Sequence, residues 1–194
     1  MIGSAGVLSP DGRIPNPTSD GWARACRANV LGCVIDALTL EKAVALVNGL
    51  VRAGKPGQGF LVNADTLLRV RDDDRLRAIV SRCSPVCADG QSVVWAARLL
   101  GERLPGRVAG PDLFDALLAL AEREAYSVFL LGAKPGVAEE AARRATARYP
   151  ALKIAGTHHG YFDLKDVAVA DAIQKANPDM LFVGMPSPRK EYWV

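Results

Sequence analysis

The sequence is poor in the residues that usually build metal sites. It contains only two histidines, adjacent at His158 and His159, and none of its four cysteines forms a CxxC pair. Zinc coordination by histidine and cysteine is therefore not predicted. The run Asp72-Asp73-Asp74 falls between two predicted helical pieces, where solvated or capping roles are expected. We predict no metal ion and no cofactor, and we expect the cysteines to be buried free thiols.

Long apolar runs and charge of one sign are also missing. No apolar run approaches the roughly 20 residues of a membrane span, and the first residues lack the basic start and apolar stretch of a signal peptide. The 24 basic and 21 acidic residues are well mixed and give a net charge of +3. No basic stripe is interleaved with aromatics, so nucleic acid is not a predicted partner. A cytoplasmic location is expected.

The glycine-rich fingerprint of dinucleotide-binding enzymes is absent as well. An oxidoreductase of that class needs G-x-G-x-x-G after its first strand and an acidic residue about 20 residues later. The sequence has neither feature. Hydride transfer with a nicotinamide cofactor is therefore disfavoured.

Strand-like and helical segments alternate over most of the chain. Residues 1–21 carry Gly, Ser, Pro and Asp without periodicity, and a flexible leader is predicted over 1–28, followed by one domain over 29–194. Residues 30–38 predict a small hairpin. The predicted strands are 60–62, 84–88, 128–131, 152–155 and 180–183, and the predicted helices are 40–51, 65–82 in two pieces, 91–100, 111–124, 137–149 and 163–177. This alternation predicts an α/β fold with a Rossmann-like parallel sheet flanked by helices.

Polar or glycine residues follow four of the predicted strands. In open α/β sheets, ligands bind beyond the carboxyl ends of the strands, so these residues predict a binding crevice. The turn before the helix at 137–149 also offers backbone N–H groups to a phosphate. The residues concerned are Asn63, Asp89 with Gly90, the turn from Gly132 through Lys134 to Gly136, and Gly184.

Asp89 is the strongest candidate for chemistry. It ends a short apolar strand and is followed by Gly90 and a helix from Gln91. A carboxylate at this position suits an enzyme that moves a proton near a phosphate. The alternative is that Asp89 only caps the helix, for which aspartate is a preferred residue.

Three further features each have two interpretations. Arg107 lies outside any helical stripe, and it either forks onto a diphosphate or is a solvated loop residue. Tyr161 follows a glycine, and it either stacks on a base or sugar or packs in the core. The pair His158-His159 is either catalytic or simply exposed or hydrogen-bonded.

A series of motifs runs in order through about residues 30–194 without large gaps. They are Asn63-Ala64, Ala88-Asp89-Gly90, Val94-Trp95-Ala-Ala-Arg-Leu-Leu-Gly101, Arg107-Val-Ala-Gly110-x-Asp112-Leu, Phe129-Leu-Leu-Gly-x-Lys-Pro-Gly136-Val-Ala-Glu, Gly156-x-x-x-Gly160-Tyr-Phe and Gly184-Met185-x-x-Pro188-x-x-Glu191-x-Trp193. Together they closely resemble the WecG/TagA/CpsF glycosyltransferases. Several motifs coincide, which chance does not explain.

The resemblance implies an inverting glycosyltransferase that needs no metal. Such enzymes transfer a sugar, typically N-acetylmannosamine or a relative, from a UDP-sugar to a polyprenyl-diphosphate-linked saccharide. They work at the inner face of the cell membrane, as peripheral proteins, in the synthesis of teichoic acid and other cell-surface polysaccharides. The resemblance does not fix the oligomeric state, and both a monomer and a homo-oligomer stay open. The alternative function is a catalytically inactive nucleotide-binding regulatory or scaffold module of the same fold.

The resemblance also assigns roles by position. Asp89 corresponds to the proposed general base and Asn63 to an active-site asparagine. Arg107 corresponds to an arginine implicated in donor binding, and Tyr161 to a tyrosine on the nucleotide side. Gly132, Lys134, Gly136, Gly184 and Lys190 complete the predicted substrate-binding set.

The chain departs from the family pattern at three positions. Leu61 stands where several relatives have threonine. The common DGxG motif reads Asp89-Gly-Gln-Ser92 here, so that serine replaces its last glycine. Lys190 replaces the glutamine of the Pro-x-Gln-Glu motif. These changes leave the donor sugar open, so that UDP-glucose or another hexose donor is also considered. Family members continue past the position of Trp193 with a segment thought to touch the membrane and supply arginines. A truncated, nearly inactive form that lacks this membrane contact is therefore expected.

Overall fold

The computed structural model describes residues 2–3 and 27–194. Most of the predicted leader, together with Cys26, lies outside these residues. The described residues divide into two compact units, 27–114 and 115–194, the latter joined by Ile2–Gly3. They are called the N-terminal unit and the C-terminal unit. The single domain expected over 29–194 stays a prediction.

The N-terminal unit combines a hairpin with a parallel strand pair and four helices. The first strand of the chain, β1 (Ile2–Gly3), belongs to the other unit. The elements of the N-terminal unit are β2 (Arg27–Val30), β3 (Cys33–Asp36), α1 (Leu40–Arg52), β4 (Phe60–Val62), α2 (Ala64–Asp72), α3 (Asp74–Val80), β5 (Val86–Ala88) and α4 (Gln91–Leu99). Strands β2 and β3 pair antiparallel, and β4 and β5 pair parallel. The next helix, α5 (Gly110–Glu124), contains the boundary between the units.

The hairpin is formed by local chemistry that the sequence carries. Leu31 and Gly32 both have positive φ, as a two-residue hairpin turn requires. The Asn29 side chain accepts a hydrogen bond from the Gly32 N–H at 2.9 Å. Thr39 then caps α1 by accepting from the Lys42 N–H, as the sequence predicts.

A buried carboxylate, which the sequence analysis did not single out, joins the hairpin to β5. Asp36 accepts a hydrogen bond from Arg27 Nε at 2.9 Å and another from the Val86 N–H at 2.8 Å. Both oxygens are therefore occupied inside the unit. Asp36 fixes the start of β5, and so the register of the strand that directly precedes Asp89.

The C-terminal unit is a four-stranded sheet with helices packed on it. Its elements are β6 (Ser127–Gly132), α6 (Val137–Arg148), β7 (Lys153–His158), α7 (Ala168–Ala176), β8 (Met180–Gly184) and α8 (Arg189–Trp193). The strand order is β1-β8-β6-β7, with β6 parallel to both neighbours and β1 antiparallel to β8. Phe129, Leu131, Leu181, Val183 and Ile173 lie in its core cluster.

The predicted α/β class is confirmed, with parallel strands, flanking helices and an N-terminal hairpin. The helix expected from Asp163 begins only at Ala168. Asp163 and Asp166 instead accept hydrogen bonds from the N–H groups two residues ahead, at 3.0 and 2.9 Å, and such local bonds compete with a helix. Strand β7 extends to His158 rather than ending at Ala155. In the part of the chain that the structure describes, no helix is long and apolar enough to cross a bilayer.

Candidate functional site

The predicted site residues fall into one group in each unit. Asn63, Asp89 and Arg107 belong to the N-terminal unit. The C-terminal unit carries Gly132, Lys134, Gly136, Tyr161, Gly184 and Lys190. In both units, part of the group lies at the carboxyl ends of parallel strands, where α/β sheets bind ligands: Asn63 and Asp89 follow β4 and β5, and Gly132 and Gly184 end β6 and β8.

Asn63 and Asp89 lie side by side at the end of the parallel pair β4–β5. Val62 is the register partner of Ala88, so the two polar residues follow directly on neighbouring strands, about 5 Å apart in backbone spacing. The Asp89 N–H donates to the Val62 carbonyl at 2.8 Å. The predicted convergence of these two side chains at one sheet edge is therefore present.

The Asp89 carboxylate is half-buried and does not cap α4. The capping residue is Gly90, which has a φ of +121° and provides no side-chain bond. The capping alternative is therefore wrong for Asp89. No hydrogen bond or ion pair joins its carboxylate to the described residues. This leaves its lone pairs available to a ligand.

The segment before α5 brings Arg107 to the same edge. The Val108 N–H donates to the Ala88 carbonyl at 2.7 Å, so the backbone beside Arg107 lies against the end of β5. The Arg107 side chain is exposed and forms no ion pair within the described part of the chain. Gly110 borders the acid: a Cβ there would lie 3.4 Å from Asp89 Oδ2 and 3.1 Å from Leu61 Cδ1.

Asn63 has a structural task that the sequence analysis did not assign. Its Oδ1 accepts hydrogen bonds from the Thr66 N–H at 2.9 Å and from Thr66 Oγ1 at 2.8 Å, and so caps α2. The amide Nδ2 donates to no group among the described residues. Because the cap fixes the amide orientation, Nδ2 faces away from Thr66 with its two donors unused.

The turn after β6 is built by two closely packed glycines. Gly132 and Gly184 are register partners, and the Ala133 N–H donates to the Gly184 carbonyl at 3.1 Å. A Cβ at Gly132 would lie 2.4 Å from the Gly184 oxygen. Lys134 is exposed without an ion pair in residues 27–194, and Gly136 opens α6 with a φ of +86° and no side-chain cap. The first N–H groups of α6 are thus free of side-chain acceptors.

The end of β7 carries aromatic and imidazole groups. His158 Nδ1 lies 2.7 Å from the His159 carbonyl, and the Tyr161 N–H donates to His159 Nδ1 at 3.3 Å. These contacts fit the hydrogen-bonded interpretation of the histidines. Tyr161 itself is 65% exposed, so the core-packing alternative is wrong for this ring. Phe162 packs instead, edge-on to Trp193 at 5.3 Å between ring centroids.

Lys190 lies on α8 next to a buried acid that the sequence analysis did not single out as a site residue. Glu191 is 2% exposed, and neither of its carboxylate oxygens has a hydrogen-bond partner in the described chain. The Lys190 ammonium lies 3.6 Å from Glu191 Oε1, and its side chain is 21% exposed. Lys190 therefore compensates a buried charge, in addition to the ligand role predicted for it.

We expect Lys190→Met to destabilise the protein by about 3–5 kcal/mol, because it leaves the Glu191 carboxylate buried without its cation. The double variant Lys190→Met/Glu191→Gln should regain most of that loss. Urea unfolding followed by circular dichroism measures both effects, with exposed Lys175→Met as a matched control. An unchanged urea midpoint for Lys190→Met would show that its ammonium does not stabilise Glu191.

The cysteines are poor candidates for chemistry. Burial raises the pKa of Cys33 to about 11. Burial, with a smaller contribution from the nearby Asp36 charge, raises the pKa of Cys87 to about 12. Cys83 is also a buried free thiol. Thiolates are the reactive form, so Cys33 and Cys87 are expected to be inert near neutral pH.

Comparisons with known proteins identify the family of this chain. Residues 28–194 match the glycosyl transferase WecG/TagA/CpsF family. Two curated relatives are N-acetylglucosaminyldiphosphoundecaprenol N-acetyl-beta-D-mannosaminyltransferases from Staphylococcus aureus strains MRSA252 and NCTC 8325 / PS 47. Each is 31% identical over 179 residues, which covers 91% of this chain and 70% of the relative. The chain belongs to the WecG/TagA/CpsF family of glycosyl transferases.

Proposed function

We propose that this protein is an inverting, metal-independent hexosyltransferase. It transfers N-acetylmannosamine or another hexose from a UDP-sugar to a polyprenyl-diphosphate-linked saccharide. The observation that carries the proposal is the Asp89 carboxylate, which is half-buried at a sheet edge and unoccupied by any described hydrogen-bond donor. A general base must have such a free carboxylate within reach of the hydroxyl it deprotonates.

In the proposed step, Asp89 accepts a proton while the acceptor oxygen attacks. The acceptor hydroxyl oxygen forms a bond to the anomeric carbon of the donor sugar. The bond between that carbon and the β-phosphate oxygen breaks, and its electron pair leaves with UDP. The proton of the hydroxyl passes to the Asp89 carboxylate. Asn63 Nδ2, an unused donor directly after the neighbouring strand β4, is suited to hold a sugar oxygen next to this acid.

The charge that develops on UDP requires cations or N–H donors. In the N-terminal unit, Arg107 is an exposed guanidinium beside the end of β5. In the C-terminal unit, Lys134 and the uncapped start of α6 at Gly136 offer a cation and backbone N–H groups. Such groups stabilise a leaving diphosphate without requiring a divalent ion. Tyr161 offers an exposed ring for stacking on the uracil or ribose.

The acceptor class is proposed from the names of the relatives. Those proteins act on N-acetylglucosaminyldiphosphoundecaprenol, and a similar lipid-linked saccharide is proposed for this chain. Because such a lipid resides in a bilayer, we propose that the protein works as a peripheral protein at the inner face of the membrane. Leu61 and Lys190 replace the usual threonine and glutamine, and this keeps hexoses other than N-acetylmannosamine among the donors to be tested.

A transfer assay tests the proposed function. The chain is incubated with a lipid-diphosphate N-acetylglucosamine and, in turn, UDP-N-acetylmannosamine, UDP-N-acetylglucosamine and UDP-glucose, with and without EDTA. We expect a low rate of product formation from one of these donors, with inversion at the anomeric carbon and no effect of EDTA. UDP binding without any transfer would favour an inactive nucleotide-binding module. Inhibition by EDTA that magnesium or manganese reverses would contradict metal independence.

We expect Arg107→Lys to weaken UDP binding about tenfold, because lysine keeps the charge but loses the planar fork that binds a diphosphate. The melting temperature without ligand should stay unchanged, since the Arg107 side chain is exposed and unpaired among the described residues. Isothermal titration with UDP measures the affinity, with exposed Arg82→Lys as the control. Normal UDP affinity combined with a lower melting temperature would assign Arg107 a structural role.

A further inference from the structure

Helix α4 and its C-cap residue expose three large apolar side chains. Trp95 is 59% exposed, Leu99 is 88% exposed and Leu100 is 52% exposed. Trp95 and Leu99 are four residues apart and so share one face of the helix. The opposite face is buried through Val93, Val94 and Ala97. We call the three exposed side chains the α4 patch. A cluster of this kind marks an interaction surface, because large apolar groups are normally removed from water.

Cations without partners flank the α4 patch. Arg98 and Arg103 are exposed, and neither forms an ion pair within residues 27–194. The segment 91–107 contains three arginines and a single acid, Glu102. Helix α2, which contacts α4, does not supply balancing acids, because its charges pair among themselves as Asp65 with Arg69 and Asp72 with Arg71. The surface around the patch is therefore apolar and positively charged.

The combination of exposed apolar side chains and exposed arginines favours an anionic lipid surface, rather than a second copy of the chain, as the binding partner. An isologous contact through the α4 patch would bring Arg98 and Arg103 towards the same cations of the other copy. An anionic bilayer instead attracts basic residues, by about 1 kcal/mol for each. Tryptophan is enriched at the level of the head groups. Leu99 lies one turn, or about 6 Å, further along α4 than Trp95, so Leu99 and Leu100 can enter the bilayer while the tryptophan stays at the interface.

We propose that the α4 patch, together with Arg98 and Arg103, docks onto an anionic membrane. This proposal rests on the proposed function, because only a lipid-linked acceptor gives the enzyme a reason to bind a bilayer. Asp89 lies two residues before Gln91, the first residue of α4, and the helix spans about 12 Å from Gln91 to Leu99. That distance is comparable to the head-group layer, about 5–8 Å thick, plus the sugar diphosphate that projects from it. Helix α4 thus holds the base a fixed height above the lipid.

Vesicle sedimentation of the 194-residue chain tests the proposal. The vesicles contain phosphatidylcholine alone or mixed with phosphatidylglycerol, and no acceptor lipid. We expect binding to the mixed vesicles only. Leu99→Glu should lower the partition coefficient at least tenfold, since it removes the most exposed leucine from the lipid. Arg98→Gln and Arg103→Gln should each lower it about fivefold. Val167→Glu, which makes the same kind of change at a 68% exposed residue elsewhere, should leave it unchanged.

Two further measurements separate the outcomes. Transfer to a short-chain, water-soluble acceptor should be unchanged in Leu99→Glu, which also shows that the variant is folded. If the unaltered chain binds vesicles but transfers no sugar, the proposed function fails while the membrane contact stands. Equal vesicle binding by Leu99→Glu and the unaltered chain would overturn the contact. A second result would also overturn the membrane contact. In it, the unaltered chain does not bind vesicles but forms a dimer in analytical ultracentrifugation, and Leu99→Glu dissociates that dimer.

Discussion

Asp89→Asn is expected to lower the rate of sugar transfer by at least about 10²-fold while leaving UDP affinity near normal. Asparagine keeps the size of the side chain, so it fits between the end of β5 and Gly110, where little space remains. It cannot accept the proton of the attacking hydroxyl. Because Asp89 does not cap α4 and has no described partner, the melting temperature should not change.

The control for this variant is Asp65→Asn. Asp65 is an exposed acid in the first turn of α2, close in sequence to Asn63, and it pairs with Arg69. Its removal changes the net charge equally, but it takes away no free carboxylate at the end of a strand. Steady-state kinetics and UDP titration of both variants check the assignment. Near-normal turnover in Asp89→Asn would show that another group accepts the proton.

The strand ends were predictable from the sequence because each couples a short apolar run to a polar or glycine residue. Asn63, Asp89, Gly132 and Gly184 all lie where that pattern placed them. Helix boundaries were also predictable where a cap was present, as at Thr39. The α/β class followed from the alternation of strands and helices, since helices of that length connect parallel strands.

Residues whose roles depend on distant partners were not predictable. Asp36 bonds the N–H of Val86, 50 positions further on, and a single sequence carries no sign of that pairing. Gly110 borders the Asp89 carboxylate only because the segment around Val108 folds against β5. Likewise, nothing local shows that Glu191 is buried beside Lys190. Tertiary contacts decide such roles, whereas propensity and periodicity describe only neighbours along the chain.

Asn63 and Asp89, which lie at the same sheet edge, show the same limit of prediction from a single sequence. Both residues follow a strand and precede a helix, and both types are preferred caps. Asn63 caps its helix, whereas Asp89 does not, because Gly90 intervenes before α4 begins. One additional glycine before the helix therefore leaves the Asp89 carboxylate without a capping hydrogen bond. The sequence contained this signal, but only the hydrogen bonds distinguish the two outcomes.

Gly132→Ala is expected to destabilise the C-terminal unit by about 3–5 kcal/mol, through overpacking and an unfavourable φ together. Gly132 ends the strand at the centre of the sheet, with a φ of +142°. An added Cβ would lie 2.4, 2.5 and 2.7 Å from the oxygen, carbonyl carbon and Cα of Gly184. These are backbone atoms of a paired strand, so they cannot move aside as a flexible side chain can.

Gly136 provides a matched control for this variant, because it lies in the same turn and also has a positive φ. A Cβ at Gly136 would meet no atom within 4 Å. Gly136→Ala should therefore cost only the conformational penalty, about 1–2 kcal/mol. Urea unfolding of the two variants, followed by circular dichroism, separates crowding from backbone strain. Equal losses of stability would show that φ alone explains both glycines. A much larger loss for Gly132→Ala would assign Gly132 to the close approach of β6 and β8, which holds the start of the Lys134 turn at the sheet edge.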